Sequence, residues 1–179
     1  MLVKILIGLA VVLAALAVVI SMRPDNFRVE RSITIAAPPS AIFPYLNDQH
    51  KNGEWAPWDK LDPNMKKTFS GPDAGVGAAL SWDGNKDVGA GTSTIIESRQ
   101  DELVRVKLDF VRPFAGTNTA DFTLKPEGGG TTVTWAMYGK ANFMSKAVGL
   151  FMDCEKMCGD MFNKGLADLK TRVETAPQS

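Results

Sequence analysis

The 179-residue sequence is poor in the side chains that bind transition metals. It has one histidine, His50, and two cysteines, Cys154 and Cys158. Structural zinc sites take about four cysteine or histidine ligands, so we predict no metal site. The segments Gly75-Val76-Gly77 and Gly89-Ala90-Gly91 lack the third glycine and the strand-to-helix context of a dinucleotide-binding loop. No cofactor is predicted.

An excess of positive charge is also missing. The 20 Lys and Arg residues are balanced by 20 Asp and Glu residues, and no basic block runs along the chain. Neutralising the phosphates of a nucleic acid requires such a block. Nucleic acid is therefore not an expected partner.

The two cysteines form a C-x3-C pattern in a segment predicted to be helical. A disulfide, a redox pair or half of a metal site are possible readings of this pattern. Cysteines four residues apart on a regular helix have poor disulfide geometry. We favour the interpretation that Cys154 and Cys158 are small buried apolar residues.

The N-terminal segment is apolar enough to cross a membrane. Ile5 to Met22 contains Ser21 as its one polar residue, and such a run at about 1.5 Å per residue just spans a hydrocarbon core of about 30 Å. A cleaved signal peptide is the alternative, but no Ala-x-Ala pattern precedes Arg23. We predict an uncleaved single-pass anchor over residues 1–22.

The side of the membrane stays open. Arg23, Arg28 and Arg31 outnumber Lys4, which by the positive-inside rule favours a cytoplasmic domain. Acidic residues interrupt these arginines, however, and anchors of this bacterial-looking type often carry the downstream domain across the membrane.

A short linker, residues 23–26, separates the anchor from one predicted domain over residues 27–175, and residues 176–179 form a tail. Pro24 cannot continue a helix, and Asp25 and Asn26 favour turns. The remaining length of about 150 residues is typical of one compact domain.

The domain is predicted to be rich in antiparallel strands. Phe27 to Ile35 alternates as a half-buried strand, Ala41 to Leu46 is predicted to be a short helix, and Asn47 to Asp59 a second, irregular helical piece. Turn signals then separate further strands, which are predicted at Lys66–Ser70, Ala78–Trp82, Gly91–Ser98, Leu103–Val111, Thr117–Lys125 and Thr131–Gly139.

One long amphipathic helix is predicted from Ser145 to Glu174. Its apolar stripe has the three-to-four spacing of a helical face and consists of Ala147, Phe151, Cys154, Cys158, Met161, Gly165, Leu169 and Val173. The economical arrangement is α+β, with a curved antiparallel sheet of about seven strands wrapped around this helix.

Several motifs appear in an order that is typical of one protein superfamily. They are Ile33-Thr34-Ile35-Ala36-Ala37-Pro38, Ile42-Phe43-Pro44-Tyr45-Leu46, Trp55-Ala56-Pro57-Trp58, Gly75-Val76-Gly77-Ala78, Trp82-Asp83-Gly84-Asn85, Gly89-Ala90-Gly91 and Gly129-Gly130-Thr131-Thr132-Val133-Thr134-Trp135. Over Phe27 to Glu174 the chain resembles the polyketide cyclase/dehydrase-like branch of the START/Bet v 1-like (SRPBCC) superfamily. The resemblance implies a helix-grip fold with a cavity between the sheet and the C-terminal helix, and it does not imply a reaction.

Four positions depart from what we expect of this branch. Asn52, Ala56, Leu80 and Ser93 stand where a large apolar, a small polar, an aromatic and a larger apolar residue are expected. If these side chains face the cavity, they enlarge it and add polar groups. A divergent ligand and an engineered pocket would both produce this pattern.

Aromatic and sulfur-containing residues are the predicted lining of the cavity, because they suit apolar ligands. They are Trp55, Trp58, Leu80, Trp82, Phe110, Phe122, Trp135, Met137, Phe151, Cys154, Cys158 and Phe162. The alternative is that each of them fills a core, as buried aromatic residues do in most domains.

Catalytic candidates are few. His50 and Glu54, four residues apart, could form an acid/base pair on one helical face, but no nucleophile is identifiable nearby and an exposed histidine is favoured. Asp83, Asp109 and Asp121 could place a carboxylate in the cavity, although the last two alternate with the apolar residues of their strands and are expected to be solvated.

These observations leave three functions open. The favoured one is a membrane-anchored domain that binds a hydrophobic small molecule or lipid without catalysis. The second is a cyclase/dehydrase-like enzyme acting on an apolar or aromatic substrate, and the third is an interaction module near the membrane, which an exposed apolar patch would indicate.

Overall fold

The computed structural model describes residues 2–141, 143–150 and 153–176. Its helices and strands follow the chain in the order α1 (Leu2–Ser21), β1 (Asn26–Ile35), α2 (Pro39–Asn47), α3 (Gln49–Asn52), α4 (Trp58–Leu61), β2 (Lys66–Ser70), β3 (Ala79–Asp83), β4 (Ala90–Arg99), β5 (Leu103–Arg112), β6 (Gly116–Glu127), β7 (Gly130–Lys140), α5 (Phe143–Val148) and α6 (Cys154–Thr175).

The strands form one antiparallel sheet in the order β1-β7-β6-β5-β4-β3-β2. Consecutive strands from β2 to β7 are neighbours in the sheet, and β7 closes back on β1. One row of paired residues crosses the whole sheet through Phe27, Gly139, Asn118, Leu108, Ser93, Leu80 and Phe69. The α+β helix-grip architecture expected from the sequence is confirmed.

The two ends of this sheet differ. At one end, named the anchor end, β1 begins at Asn26, β5 ends at Arg112 and β7 ends at Lys140. At the opposite end, named the closed end, β1 finishes at Ile35. The side chains packed there are fully buried, and include Ile35, Ile42, Leu103, Val133 and Leu169. The closed end therefore holds the close-packed core of the domain.

Helix α6 packs against β1 with its C-terminus at the closed end. Phe162, Leu166, Leu169 and Val173 are buried at the three-to-four spacing of one helical face. The Glu174 carboxylate accepts a hydrogen bond from the Ala36 amide at 2.8 Å. This contact fixes the C-terminal end of the helix to the end of β1.

The single helix predicted from Ser145 to Glu174 is wrong at its start. The chain forms α5, which ends at Val148, and a separate helix α6 from Cys154. Asp153 caps α6, because its carboxylate accepts a hydrogen bond from the Lys156 amide at 2.9 Å. The apolar periodicity continues across this region, so it did not reveal the new N-cap. The predicted stripe residue Ala147 accordingly belongs to α5.

Helix α1 projects from the anchor end and is almost entirely exposed. Val3–Ser21, 19 residues, is long and apolar enough to cross a membrane, which fits both an anchor and a signal sequence. The linker after it is held to the domain by Arg23, whose Nη1 donates to the Gly149 carbonyl at 2.8 Å, and by an ion pair between Asp25 and Lys146. The base of α1 is thus attached to α5.

Candidate functional site

A cavity of about 300 Å³ lies between the concave face of the sheet, the segment from α2 to α4 and the N-terminal half of α6. It extends from the anchor end, where Trp82 and Phe110 line it, to Phe122 and Trp135, beyond which the closed end is filled. This volume is at the lower end of the range of about 300–1,000 Å³ that small-molecule sites occupy.

The wall of the cavity is mainly aromatic and aliphatic. Its apolar lining residues are Leu46, Trp55, Ala56, Trp58, Met65, Leu80, Trp82, Val88, Val106, Leu108, Phe110, Ala120, Phe122, Trp135, Met137, Cys158 and Phe162. The strands provide most of them because inward-facing residues alternate with outward-facing ones. Such a wall excludes water and favours apolar ligands.

An aromatic cluster forms the inner part of the wall. The Trp135 ring stacks on Phe162 with a centroid distance of 4.0 Å, and the Trp55 ring meets Trp135 edge-on at 5.6 Å. The Trp55 indole N–H donates to the Tyr45 carbonyl at 3.0 Å. A Cβ atom at Gly165 would lie 3.0 Å from Trp135 Cζ3, so this glycine allows α6 to approach the ring.

A second aromatic pair lies nearer the anchor end. Trp82 on β3 and Phe110 on β5 meet edge-on with a centroid distance of 5.8 Å. Gly91 on the strand between them has no side chain to separate them, and a Cβ atom there would lie 2.7 Å from Trp82 Cη2. Gly91, the second glycine of the Gly89-Ala90-Gly91 motif, thus has a packing role in the cavity.

Polar groups form one part of the lining. They are Gln49, Asn52, Asp59, Lys67, Asp87 and Ser93. Gln49 is 5% exposed, and its Nε2 donates to Ser93 Oγ at 3.2 Å. Asp59 and Lys67 form an ion pair with both side chains about three quarters buried. The lining therefore combines a mainly apolar wall with these polar groups, which are together named the polar wall.

One polar group of the lining, the buried Trp135 Nε1–H, has no hydrogen-bond partner within the part of the chain that the structure describes. A buried N–H without an acceptor costs about 1–3 kcal/mol. An acceptor atom on a bound molecule would remove that cost at Trp135.

The structure places on the cavity wall every predicted lining residue whose side chain it describes, from Trp55 between α3 and α4 to Phe162 on α6. Phe151 and the side chain of Cys154 lie outside the described residues. The cavity is also lined by the four residues that depart from the family pattern, Asn52, Ala56, Leu80 and Ser93. Sequence reasoning missed Gln49, Asp59 and Lys67, because apolar periodicity does not indicate the burial of polar residues.

The predicted acid/base pair is not formed. His50 stacks on Phe69 with a centroid distance of 3.8 Å and lines a separate surface depression of about 130 Å³. Glu54 accepts from Arg172 Nε at 2.7 Å on the surface. Because α3 is a single turn that ends at Asn52, residues 50 and 54 do not share a helical face. Neither side chain lines the large cavity.

The aspartates on the central strands face away from the cavity. Asp121 accepts a hydrogen bond from Arg105 Nε at 2.7 Å. An ammonium group on Lys107 and the Thr117 hydroxyl lower the pKa of Asp109 below its ordinary value. Asp83 forms an ion pair with Arg112. Within the described ranges, no group of three His, Cys, Asp or Glu side chains could hold a metal ion.

Comparison with known proteins agrees with this geometry. A family described as polyketide cyclase/dehydrase and lipid transport matches residues 26–174. No curated protein matches the chain significantly.

Solved structures with the same fold have low sequence identity to the chain. Protein CV1439 from Chromobacterium violaceum is 18% identical with a TM-score of 0.60, over 86% of this chain and 100% of that one. The Aha1 dimer protein from Colwellia psychrerythraea is 17% identical with a TM-score of 0.60, over 85% of this chain and 99% of that one. Major latex-like protein 151 from Panax ginseng is 13% identical with a TM-score of 0.57, over 84% of this chain and 99% of that one. These neighbours establish the fold.

Proposed function

Because the chain belongs to the polyketide cyclase/dehydrase and lipid-transport family, of the START/Bet v 1-like (SRPBCC) superfamily, we propose that it binds a hydrophobic small molecule or lipid without turning it over. The observation that carries this proposal is the cavity of about 300 Å³ lined by aromatic residues. We further propose that α1 remains uncleaved and holds the domain at a membrane.

The lining of the cavity supports a further proposal about the ligand. An apolar body fits against Trp55, Phe122, Trp135 and Phe162, because these rings offer a large contact area. A hydrogen-bonding group fits against the polar wall, where Gln49, Ser93 and Asn52 lie. We therefore expect an amphipathic ligand such as a short fatty acid, a fatty alcohol or an aromatic molecule with one polar end.

One observation favours a second candidate function, a cyclase/dehydrase-like enzyme. The partly buried Asp59–Lys67 pair gives the cavity a carboxylate and an ammonium group that could take part in proton transfer. The ion pair satisfies both groups, which favours a structural role. Turnover would require a substrate that separates them.

Ligand retention tests the binding proposal. We suggest native mass spectrometry of the full chain in detergent, combined with extraction and identification of bound lipids and metabolites. Ala120, which is buried on the cavity wall, offers a blocking variant, Ala120→Phe. Thr123 on the same strand is exposed, so Thr123→Phe is the matched control.

The expected result is an apolar molecule on the wild-type chain and on Thr123→Phe, and none on Ala120→Phe. Binding of the fluorescent probe 1-anilinonaphthalene-8-sulfonate should follow the same order. Equal binding by all three chains would contradict the proposal. Conversion of an apolar ligand by the wild type, lost in Asp59→Asn and Lys67→Met, would favour the enzyme.

A further inference from the structure

The half of the domain that contains the cavity is named the hollow half. It lies at the same end of the sheet as the apolar helix α1. The strand residues that line the cavity begin at Trp82 and Phe110, next to the anchor end, whereas the closed end holds the fully buried core. Strand β1 begins at this same end, at Asn26, and α1 ends at Ser21. Five Cα steps separate these residues and span at most about 18 Å.

A group of apolar side chains projects from that end into solvent. The end of β5 and the turn after it carry Val111 and Phe114, which are 65% and 47% exposed. Both residues lie past Phe110 and Gly116, the pair nearest the anchor end between β5 and β6. Phe143 on α5, beside α1, is 56% exposed. Single exposed apolar residues are normal on a protein surface, but these three share the end of the sheet to which α1 is attached.

The position of this surface indicates what covers it. Strand β5 is three strands from β1, a lateral distance of about 14 Å at about 4.8 Å per strand. The contacts of Arg23 with Gly149 and of Asp25 with Lys146 hold the base of α1 against α5, next to Phe143. A bilayer crossed by α1 would therefore meet the β5–β6 turn and α5 together.

From this juxtaposition we propose that Val111, Phe114 and Phe143 insert into the surface of the bilayer that α1 crosses, so that the hollow half of the domain faces the lipid. The inference rests on the proposed anchoring by α1 and adds an orientation to it. Apolar and aromatic side chains insert to the boundary between headgroups and acyl chains. The ligand cavity then lies directly above its source of apolar molecules.

The test measures the depth of single side chains in vesicles. The full chain carrying Cys154→Ala and Cys158→Ala receives one new cysteine, Phe114→Cys or Phe143→Cys, labelled with the fluorophore NBD. Ile96→Cys is the matched control, because Ile96 is also an exposed apolar residue, 44% exposed, but lies on β4 toward the closed end. The vesicles contain phosphatidylcholine and phosphatidylglycerol, with or without nitroxide-labelled phosphatidylcholine.

We expect nitroxide lipid to reduce emission at positions 114 and 143, because side chains that insert about 5–10 Å reach the acyl-chain boundary, and to leave emission at position 96 unchanged. Equal, weak quenching at all three positions would overturn the inference. A retained near-ultraviolet circular dichroism signal of tryptophan shows that each labelled chain is folded, and position 143 serves if position 114 does not fold.

Flotation of the same vesicles separates the two proposals. If the chain floats and positions 114 and 143 are not quenched, the orientation is wrong and the anchor remains. If the chain does not float, both the anchor and the orientation are wrong. Ligand binding is measured independently in detergent, so neither outcome decides it.

Discussion

The indole ring of Trp135 on β7 stacks on the phenyl ring of Phe162 on α6, with the ring planes 9° apart. This pair joins the sheet to the helix at the boundary between the cavity and the filled core. Trp55 and Phe122 contact the same indole ring. The four rings therefore both stabilise the domain and form the inner wall of its candidate site.

Truncation of Phe162 should destabilise the domain strongly. Phe162 is 1% exposed, and replacing a buried phenylalanine by alanine costs about 3–5 kcal/mol. We expect Phe162→Ala to lower the free energy of unfolding by that amount in denaturant titrations of the full chain in detergent. Met161→Ala, a change at the half-buried neighbour, should cost much less. Equal costs would mean that the stacked pair does not support the core.

Gly165 should resist a substitution that usually stabilises helices. Replacing an unhindered helical glycine by alanine gains about 1 kcal/mol. At Gly165 a Cβ atom would lie 3.0 Å from both Trp135 Cζ3 and Pro57 Cδ, and Phe162 and Trp55 restrict movement of the indole ring. We expect Gly165→Ala to lose about 1–2 kcal/mol through overpacking and to change the near-ultraviolet circular dichroism of tryptophan.

A control on the same helix gives the scale of this effect. Ala167 is exposed on α6, so Ala167→Gly should lose about 1 kcal/mol from helix propensity alone and leave the tryptophan signal unchanged. A gain in stability for Gly165→Ala would show that the rings yield to the new methyl group.

The sequence predicted the sheet well because alternation is a local property. On β5, Val104, Val106, Leu108 and Phe110 alternate with polar residues, and the last three line the cavity. The same pattern places Trp135 and Met137 on the cavity wall. Strand ends were predicted to within one or two residues, since turn residues such as Gly128 and Gly129 mark them.

The polar wall could not be predicted in this way. Gln49 is buried because Ser93, 44 residues later in the chain, accepts its hydrogen bond, and no local pattern encodes that contact. The separate start of α6 depends on the cap at Asp153, which the apolar periodicity concealed. The His50–Glu54 hypothesis assumed a continuous helix, whereas α3 has one turn.

The contact between Glu174 and the end of β1 should make stability depend on pH. A hydrogen bond from the Ala36 amide, and then the nearby Lys170, lower the pKa of Glu174 below its ordinary value of 4.5. A carboxyl with a lowered pKa in the folded state stabilises the fold fully above its ordinary value and loses this contribution as the pH falls through its folded pKa. The contribution should therefore disappear on acidification below 4.5.

The variant Glu174→Gln isolates this effect, because the amide oxygen can still accept the Ala36 hydrogen bond but carries no charge. Unfolding midpoints measured from pH 6 to pH 3 should differ between wild type and variant at the upper end and converge at the lower end. A difference that is independent of pH would show that the charge of Glu174 does not contribute.

The polar wall should make the cavity prefer a ligand with one hydrogen-bonding group. In competition against 1-anilinonaphthalene-8-sulfonate, we expect 1-octanol to bind about tenfold more tightly than octane, which corresponds to about 1.4 kcal/mol. One added hydrogen bond to a neutral group supplies energy of this size. In the double variant Gln49→Leu with Ser93→Ala, the preference for 1-octanol should disappear. Octane should bind to this variant at least as tightly as to the wild type.

The two ligands have nearly the same apolar body, so the ratio of their affinities removes any general effect of the substitutions on packing. If the double variant kept the preference, the hydroxyl group would contact another donor or acceptor, and the unpartnered Trp135 indole N–H would be the next candidate. Trp135→Phe keeps a stacked ring on Phe162 and removes that donor. Its effect on the ratio would then decide which wall binds the polar end of the ligand.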